Sequence, residues 1–138
     1  MLHPTASNEP SQITKHAQIR MQQRSISGED VLTILNHGTS FDDNSIILTR
    51  KDVERTIGRF RSDLKNIERE MHNRSPAERS TDFSKINSEQ KRFISLQRKT
   101  MQRIQRLRDY KVVMDGDTLI TCYRCSRKSI KRAYKSFH

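Results

Sequence analysis

The sequence predicts an α+β domain: a small antiparallel sheet covered by N-terminal helices, with an antiparallel helical hairpin inserted between its strands. Three observations carry that reading. Val112-Val113-Met114 and Thr118-Leu119-Ile120-Thr121-Cys122-Tyr123 flank Asp115-Gly116-Asp117. β-branched and aromatic runs on either side of a glycine-containing turn signal a β-hairpin. Val53, Ile57, Phe60, Leu64, Ile67 and Met71 follow one another at spacings of 4, 3, 4, 3 and 4, which is the apolar seam of a long helix. Two short stretches near the N-terminus each combine a cap residue with an apolar side.

Residues 1–12 are polar, contain Pro4 and Pro10, and read as a disordered lead-in. Residues 13–138 read as one domain. Thr14 caps a helix over Lys15–Arg24, with Ala17 and Met21 on one side and Ile13 and Ile19 nearby. Ser25-Ile26 breaks it. Ser27 accepts from the Asp30 amide to open a second helix, with Val31, Leu32, Ile34 and Leu35 as its apolar face. Gly38 is expected in the left-handed conformation that ends many helices. Ile46-Ile47-Leu48 is a third strand beside the hairpin.

Thr49 caps the first inserted helix. Residues 73–85, with Pro76 and several serines, break the pattern. A second helix is expected over Ser88–Arg108, with its seam at Phe93, Leu96, Thr100 with Met101, Ile104 and Leu107. Two helices of similar length around a polar break make an antiparallel hairpin. Residues 50–108 therefore leave the sheet after Leu48 and rejoin it at Tyr110. Residues 125–138 follow as a basic tail.

Only 32% of the residues are hydrophobic and 6% aromatic, against an ordinary apolar share of about 45%, so the core is modest. The net charge is +11 and the pI about 10.2, which points to a polyanionic partner: nucleic acid first, an anionic membrane second. The charge is uneven. Residues 1–49 hold three Lys/Arg against five Asp/Glu, residues 50–109 hold seventeen against nine, and residues 124–138 hold six and no acid. The middle and the tail, not the N-terminal part, would grip phosphates. Met1-Leu2-His3-Pro4 lacks the basic and apolar regions of a signal peptide. No apolar run approaches the ~20 residues of a membrane span. The expected compartment is the cytoplasm, and no membrane partner is expected.

His16, Arg20 and Arg24 lie at i, i+4 and i+8 on one helical stripe. A histidine that shuttles protons beside arginines that hold a phosphate would suit an RNA-cutting groove; a solvated stripe is the plainer alternative. Tyr123, Arg124, Arg127, Lys128, Lys131, Arg132, Tyr134 and Lys135 gather cations and two phenol rings. That composition suits phosphates and stacked bases. Cys122 and Cys125 have CxxC spacing but no second ligand pair, so they read as structural and no metal is expected. No phosphate-cradling or hydrolase motif occurs, and no cofactor is expected. The charged outer faces of the hairpin suit either an electrostatic arm along a nucleic acid or a seam that pairs two chains.

Lys15-His16-Ala17, Arg20-Met21, Arg24, Ile26-Ser27 and the closing Leu119-Ile120-Thr121-Cys122-Tyr123-Arg124 with its basic tail resemble the two ends of the domain of unknown function 4258. The resemblance covers roughly residues 13–49 and 110–132, with a longer helical hairpin between than in usual members. That family is similar to the RelE/BrnT-type fold, which implies N-terminal helices on a small antiparallel sheet. The best-known members of that fold are toxin ribonucleases of toxin–antitoxin pairs, so the expected function is nucleic-acid binding, with an antitoxin or other protein as a candidate partner. Likeness of fold does not by itself imply catalysis; if the chain is an enzyme, it is expected to be a metal-independent endoribonuclease. On this chain the catalytic residues would be His16, Arg20, Arg124 and Lys128. Arg24, Tyr123, Arg127, Lys131, Arg132 and Lys135 would bind the nucleic acid, RNA ahead of DNA. The alternative is a non-enzymatic regulator or adaptor that uses the helical hairpin for protein docking or as a homodimer surface.

Overall fold

The computed structural model describes residues 10–73 and 83–137. In chain order they form β1 (Gln12–Ile13), α1 (Lys15–Gln23), α2 (Gly28–His37), β2 (Thr39–Ser40), β3 (Ser45–Ile47), α3 (Arg50–His72), α4 (Phe83–Arg106), β4 (Tyr110–Asp115), β5 (Thr118–Arg124) and α5 (Arg127–Phe137). The class is α+β, and the hairpin of α3 and α4 enters between β3 and β4. Helix α4 begins at Phe83, before the expected Ser88. Most of the expected break, residues 74–82, lies outside the described residues.

The sheet is larger than the three expected strands, and it is mixed. Its order is β1-β5-β4-β3-β2. β1 runs parallel to β5, and the other pairs are antiparallel. β1 is built from residues assigned to the lead-in or to its border. The amide of Ser11 donates to Asp117 O at 3.0 Å and that of Thr14 to Leu119 O at 3.0 Å, so the backbone has partners although its side chains carry no strand pattern. The rest of the proposed lead-in, residues 1–9, lies outside the described residues.

Side-chain alternation divides the sheet into two faces. A bulge between Val113 and Met114 keeps Val112, Met114, Leu119 and Cys122 in step. These residues join Ala17, Ile26, Val31, Ile34 and Leu48 in the main cluster under α1 and α2. The other face carries Ile47, Lys111 and Tyr123 in one row. Ile47 is 1% exposed and Phe41 3%, yet both lie outside the main cluster. The cover there is α5: the Tyr134 ring meets the Phe41 ring edge-on at 5.8 Å. The tail is thus a helix, capped by Ser126, whose hydroxyl accepts from the Ser129 amide.

The caps of α1, α2 and α3 are the predicted Thr14, Ser27 and Thr49, the last two as reciprocal capping boxes with Asp30 and Asp52. Gly38 departs from expectation. Its backbone is extended, at φ −80° and ψ 175°. A Cβ there would sit 2.6 Å from Ile46 Cγ2 and 2.7 Å from Ile34 O. Close approach of the chain to β3, rather than a left-handed cap, requires glycine here.

The seam of α3 is as read as far as Ile67: Val53 and Ile57 are 7% exposed, Leu64 9%, and Phe60 and Ile67 are partly buried, while the side chain of Met71 lies outside the described residues. On α4 the inward stripe is not the expected one. Ile104 and Leu107 are fully buried, but Phe93 and Leu96 are 43% and 63% exposed. The upper inward positions are Gln90, Ile94, Gln97 and Met101. Residue type favoured Phe93 and Leu96, but the register that holds Ile104 and Met101 against α3 places Ile94 and Gln97 inward.

Candidate nucleic-acid interface

Helix α5 has the sequence Arg127-Lys128-Ser129-Ile130-Lys131-Arg132-Ala133-Tyr134-Lys135-Ser136-Phe137. Its amphipathic pattern turns Ile130 and Ala133 partly inward and leaves Arg127, Lys128, Lys131, Arg132 and Lys135 exposed. No acid interrupts the five cations. Docking of Tyr134 on Phe41, with Lys51 Nζ 5.7 Å from the Tyr134 centroid, holds the helix across the sheet from the end of β5 towards β2. At the start of this path the Cys125 amide donates to Asp109 O at 2.8 Å.

Beside α5 the outer sheet face presents a cation over a ring: Lys111 Nζ lies 5.8 Å from the Tyr123 centroid. Both side chains are partly exposed. Lys111 was not singled out in the sequence; its register opposite Tyr123 is a long-range fact that only strand pairing reveals. At the far end of β3, Asp42 accepts from the Asn44 amide at 2.7 Å. That hydrogen bond, more than nearby Lys111, holds its carboxyl below the usual range.

The other sequence-chosen residues occupy the opposite side. His16, Arg20 and Arg24 lie on α1, or at its C-terminal cap, and α1 packs on β5; His16 and Arg24 are exposed and Arg20 partly so. Arg124 alternates onto the same face as Cys122 and is exposed at the end of β5. The Cys122 thiol is pushed up by burial, against a smaller opposing effect of the Arg24 charge; Arg24 caps the helix that packs on this face. The sheet therefore sets Arg24 and Arg124 on one side and Tyr123 with the α5 cations on the other. His16 and Lys128, both among the expected catalytic residues, belong to elements covering opposite faces.

Two cations of the hairpin's expected outer face are engaged instead. Arg106 Nη2 donates to Asp30 Oδ1 at 2.8 Å, and Arg103 reaches Asp30 Oδ1 at 3.2 Å and Glu29 Oε2 at 2.8 Å. Burial pushes the Cys125 thiol up as well, and both cysteines are free. Among the described residues no group of three or more His, Cys, Asp or Glu is placed to hold a metal ion, and no helix is long and apolar enough to cross a membrane.

The profile of the family described as Domain of unknown function (DUF4258) matches residues 13–124, and the chain belongs to that family. No curated protein and no solved structure matches it.

Proposed function

We propose that this DUF4258 member binds single-stranded nucleic acid, RNA ahead of DNA, on the surface formed by α5 and the outer face of β4 and β5. The observation that carries this reading is the amphipathic fold of the tail, whose five cations all lie in one acid-free helix. Lys and Arg on this helix meet phosphates, and Tyr123, flanked by Lys111, offers a ring on which a base can stack. Helix α5 follows directly on the family match, which ends at residue 124.

Binding rather than cleavage is the reading these positions favour. A metal-independent ribonuclease needs a base, an acid and a charge stabiliser around one phosphate. Here His16 and Arg20 are on the helix that packs on one sheet face, and Lys128 and Tyr123 belong to the other.

Affinity for a labelled single-stranded RNA measured across a salt series tests the proposal. The logarithm of the binding constant should fall linearly with that of salt, by about 0.7 per phosphate contacted. Deleting residues 126–138 should reduce the slope, and Tyr123→Ala should weaken binding by about 1–3 kcal/mol per stacked base. No binding at about 50 mM salt, or a slope unchanged by the deletion, contradicts it.

A further inference from the structure

Helix α4 carries a second apolar stripe that the fold does not absorb. Phe93, Leu96 and Thr100 lie on the side of α4 that continues upward from Leu107. At the base this side is sealed: Leu107 is fully buried. Higher up, α2 crosses the hairpin obliquely. Its N-terminal end is tied to α4 by Asp30 and Arg106 at 2.8 Å. Its C-terminal end reaches α3, where the His37 ring meets the Phe60 ring edge-on at 6.3 Å. The hairpin projects past that crossing and leaves an open groove, with Leu32, Thr33 and His37 on one wall and Leu96, Lys99 and Thr100 on the other. Leu96 is 63% exposed and Phe93, one turn further out, 43%.

The charge around this groove is positive. Arg92 and Lys99 flank Leu96 on α4 and are exposed. At the α3 end, burial together with Arg59 and Arg55 holds the His37 imidazole below its ordinary proton affinity, against a smaller opposing effect of Asp52. Glu29 is on the rim but already engages Arg103 at 2.8 Å; Glu89 stands further out on the helix. A second copy of this chain would bring the same cations against their images, on a molecule of net charge +11. A nucleic acid would meet leucine and phenylalanine where it needs phosphate partners.

We propose that the groove between α2 and α4 is a docking site for an acidic amphipathic helix of a partner protein. The occupant places leucine-like side chains at i, i+3, i+4 and i+7 between Leu32, Phe93 and Leu96, and its carboxylates reach Lys99 and Arg92. This is the helix-in-groove mode, in which apolar anchors supply affinity and rim charges set orientation and encounter rate. The site is independent of the α5 surface, so one chain can hold both partners at once.

The test uses the full chain with two synthetic peptides, one acidic and patterned with leucines at helical spacing, the other a scramble of the same composition. The patterned peptide is expected to bind at least about ten-fold more tightly than the scramble. Leu96→Glu should lower that affinity by about ten-fold or more, and Lys99→Glu should lower it with a smaller salt dependence. Lys131→Gln on α5 should leave it unchanged. The exposure of Leu96 means that Leu96→Glu should unfold at the same temperature as the parent chain. Equal binding of the scramble, or indifference to both Leu96→Glu and Lys99→Glu, overturns the proposal. So does a concentration-dependent dimer of the parent chain that Leu96→Glu dissociates, which would make a second copy the occupant.

Discussion

Arg106, on the last turn of α4, donates to Asp30 Oδ1 at 2.8 Å, and Asp30 is 2% exposed. The same carboxylate accepts from the Ser27 amide at 3.0 Å as half of the capping box of α2. One buried side chain therefore caps an N-terminal helix and clamps the returning arm of an insertion 76 residues away.

Asp30→Ala should consequently cost more than a helix cap alone. Loss of the cap contributes about 1 kcal/mol. Loss of charge-assisted hydrogen bonds contributes about 1.5–3 kcal/mol, discounted because Arg106 is 53% exposed and can return to water. We expect a total of about 2–4 kcal/mol, read from the urea midpoint. Arg106→Ala should cost about 1 kcal/mol or less, because Arg103 still reaches Asp30. Equal losses from the two variants would show that the carboxylate has no role beyond Arg106.

The hairpin should divide energetically along its length. Ile104 is fully buried in the main cluster, so Ile104→Ala should destabilise the whole domain by about 2–5 kcal/mol. Leu64→Pro, further out, should cost about 3 kcal/mol or more in the helix while amide protection persists in β4 and β5. Loss of protection throughout the sheet in Leu64→Pro would make the outer hairpin part of the same cooperative unit.

Gly38 and Gly58 should respond in opposite directions. Gly38→Ala forces a Cβ to within 2.6 Å of Ile46 Cγ2 and 2.7 Å of Ile34 O, and overpacking of this kind costs about 1–3 kcal/mol. Gly58 lies inside α3, where an added Cβ would meet only open space, so Gly58→Ala should stabilise by about 0.5–1 kcal/mol. Thermal unfolding of the two variants decides this, and a stabilised Gly38→Ala would remove the close-approach argument.

These contrasts show which parts of the fold were legible in the sequence. Caps were, because Thr14, Ser27 and Thr49 act on backbone amides three residues away. The α3 seam and the β4–β5 hairpin were, because their periodicity is local. β1 and β2 were not: at two residues each they have no period to detect, and β1 exists through a partner strand at the far end of the chain. The Asp30–Arg106 clamp is invisible for the same reason. Residue type puts Phe93 and Leu96 in the seam, whereas the phase of α4 is fixed by Met101 and Ile104. Of the candidate site, the cations of α5 could be read as composition. Their separation from His16 and Arg20 depends on which strand residues alternate to which face, and strand pairing decides that.

His37 should make stability depend on pH. Its folded-state proton affinity is lowered, first by burial and then by Arg59 and Arg55. The unfolded chain therefore binds the proton more readily. The stabilising contribution is present above the ordinary value of 6.5 and is lost as pH falls below it towards the lowered folded value. Urea midpoints at about pH 7.5 and about pH 5.5 should differ more for the parent chain than for His37→Gln. An identical pH response in the variant would assign the dependence to another group.

The central claim is that the ordered cations of α5, and not the overall charge of the chain, bind the polyanion. Its most direct measurement compares two variants of equal net charge by the salt dependence of RNA affinity. One carries Lys128→Gln, Lys131→Gln, Arg132→Gln and Lys135→Gln on α5; the other carries Arg61→Gln, Lys65→Gln, Lys91→Gln and Arg98→Gln on the hairpin. Each cation that releases a counterion contributes about 0.7 to the slope for a single strand. The α5 variant should therefore lose up to about 3 in slope, with a large loss of affinity at low salt, and the hairpin variant should stay close to the parent. Equal losses from the two variants, or a larger loss from the hairpin variant, would contradict the account.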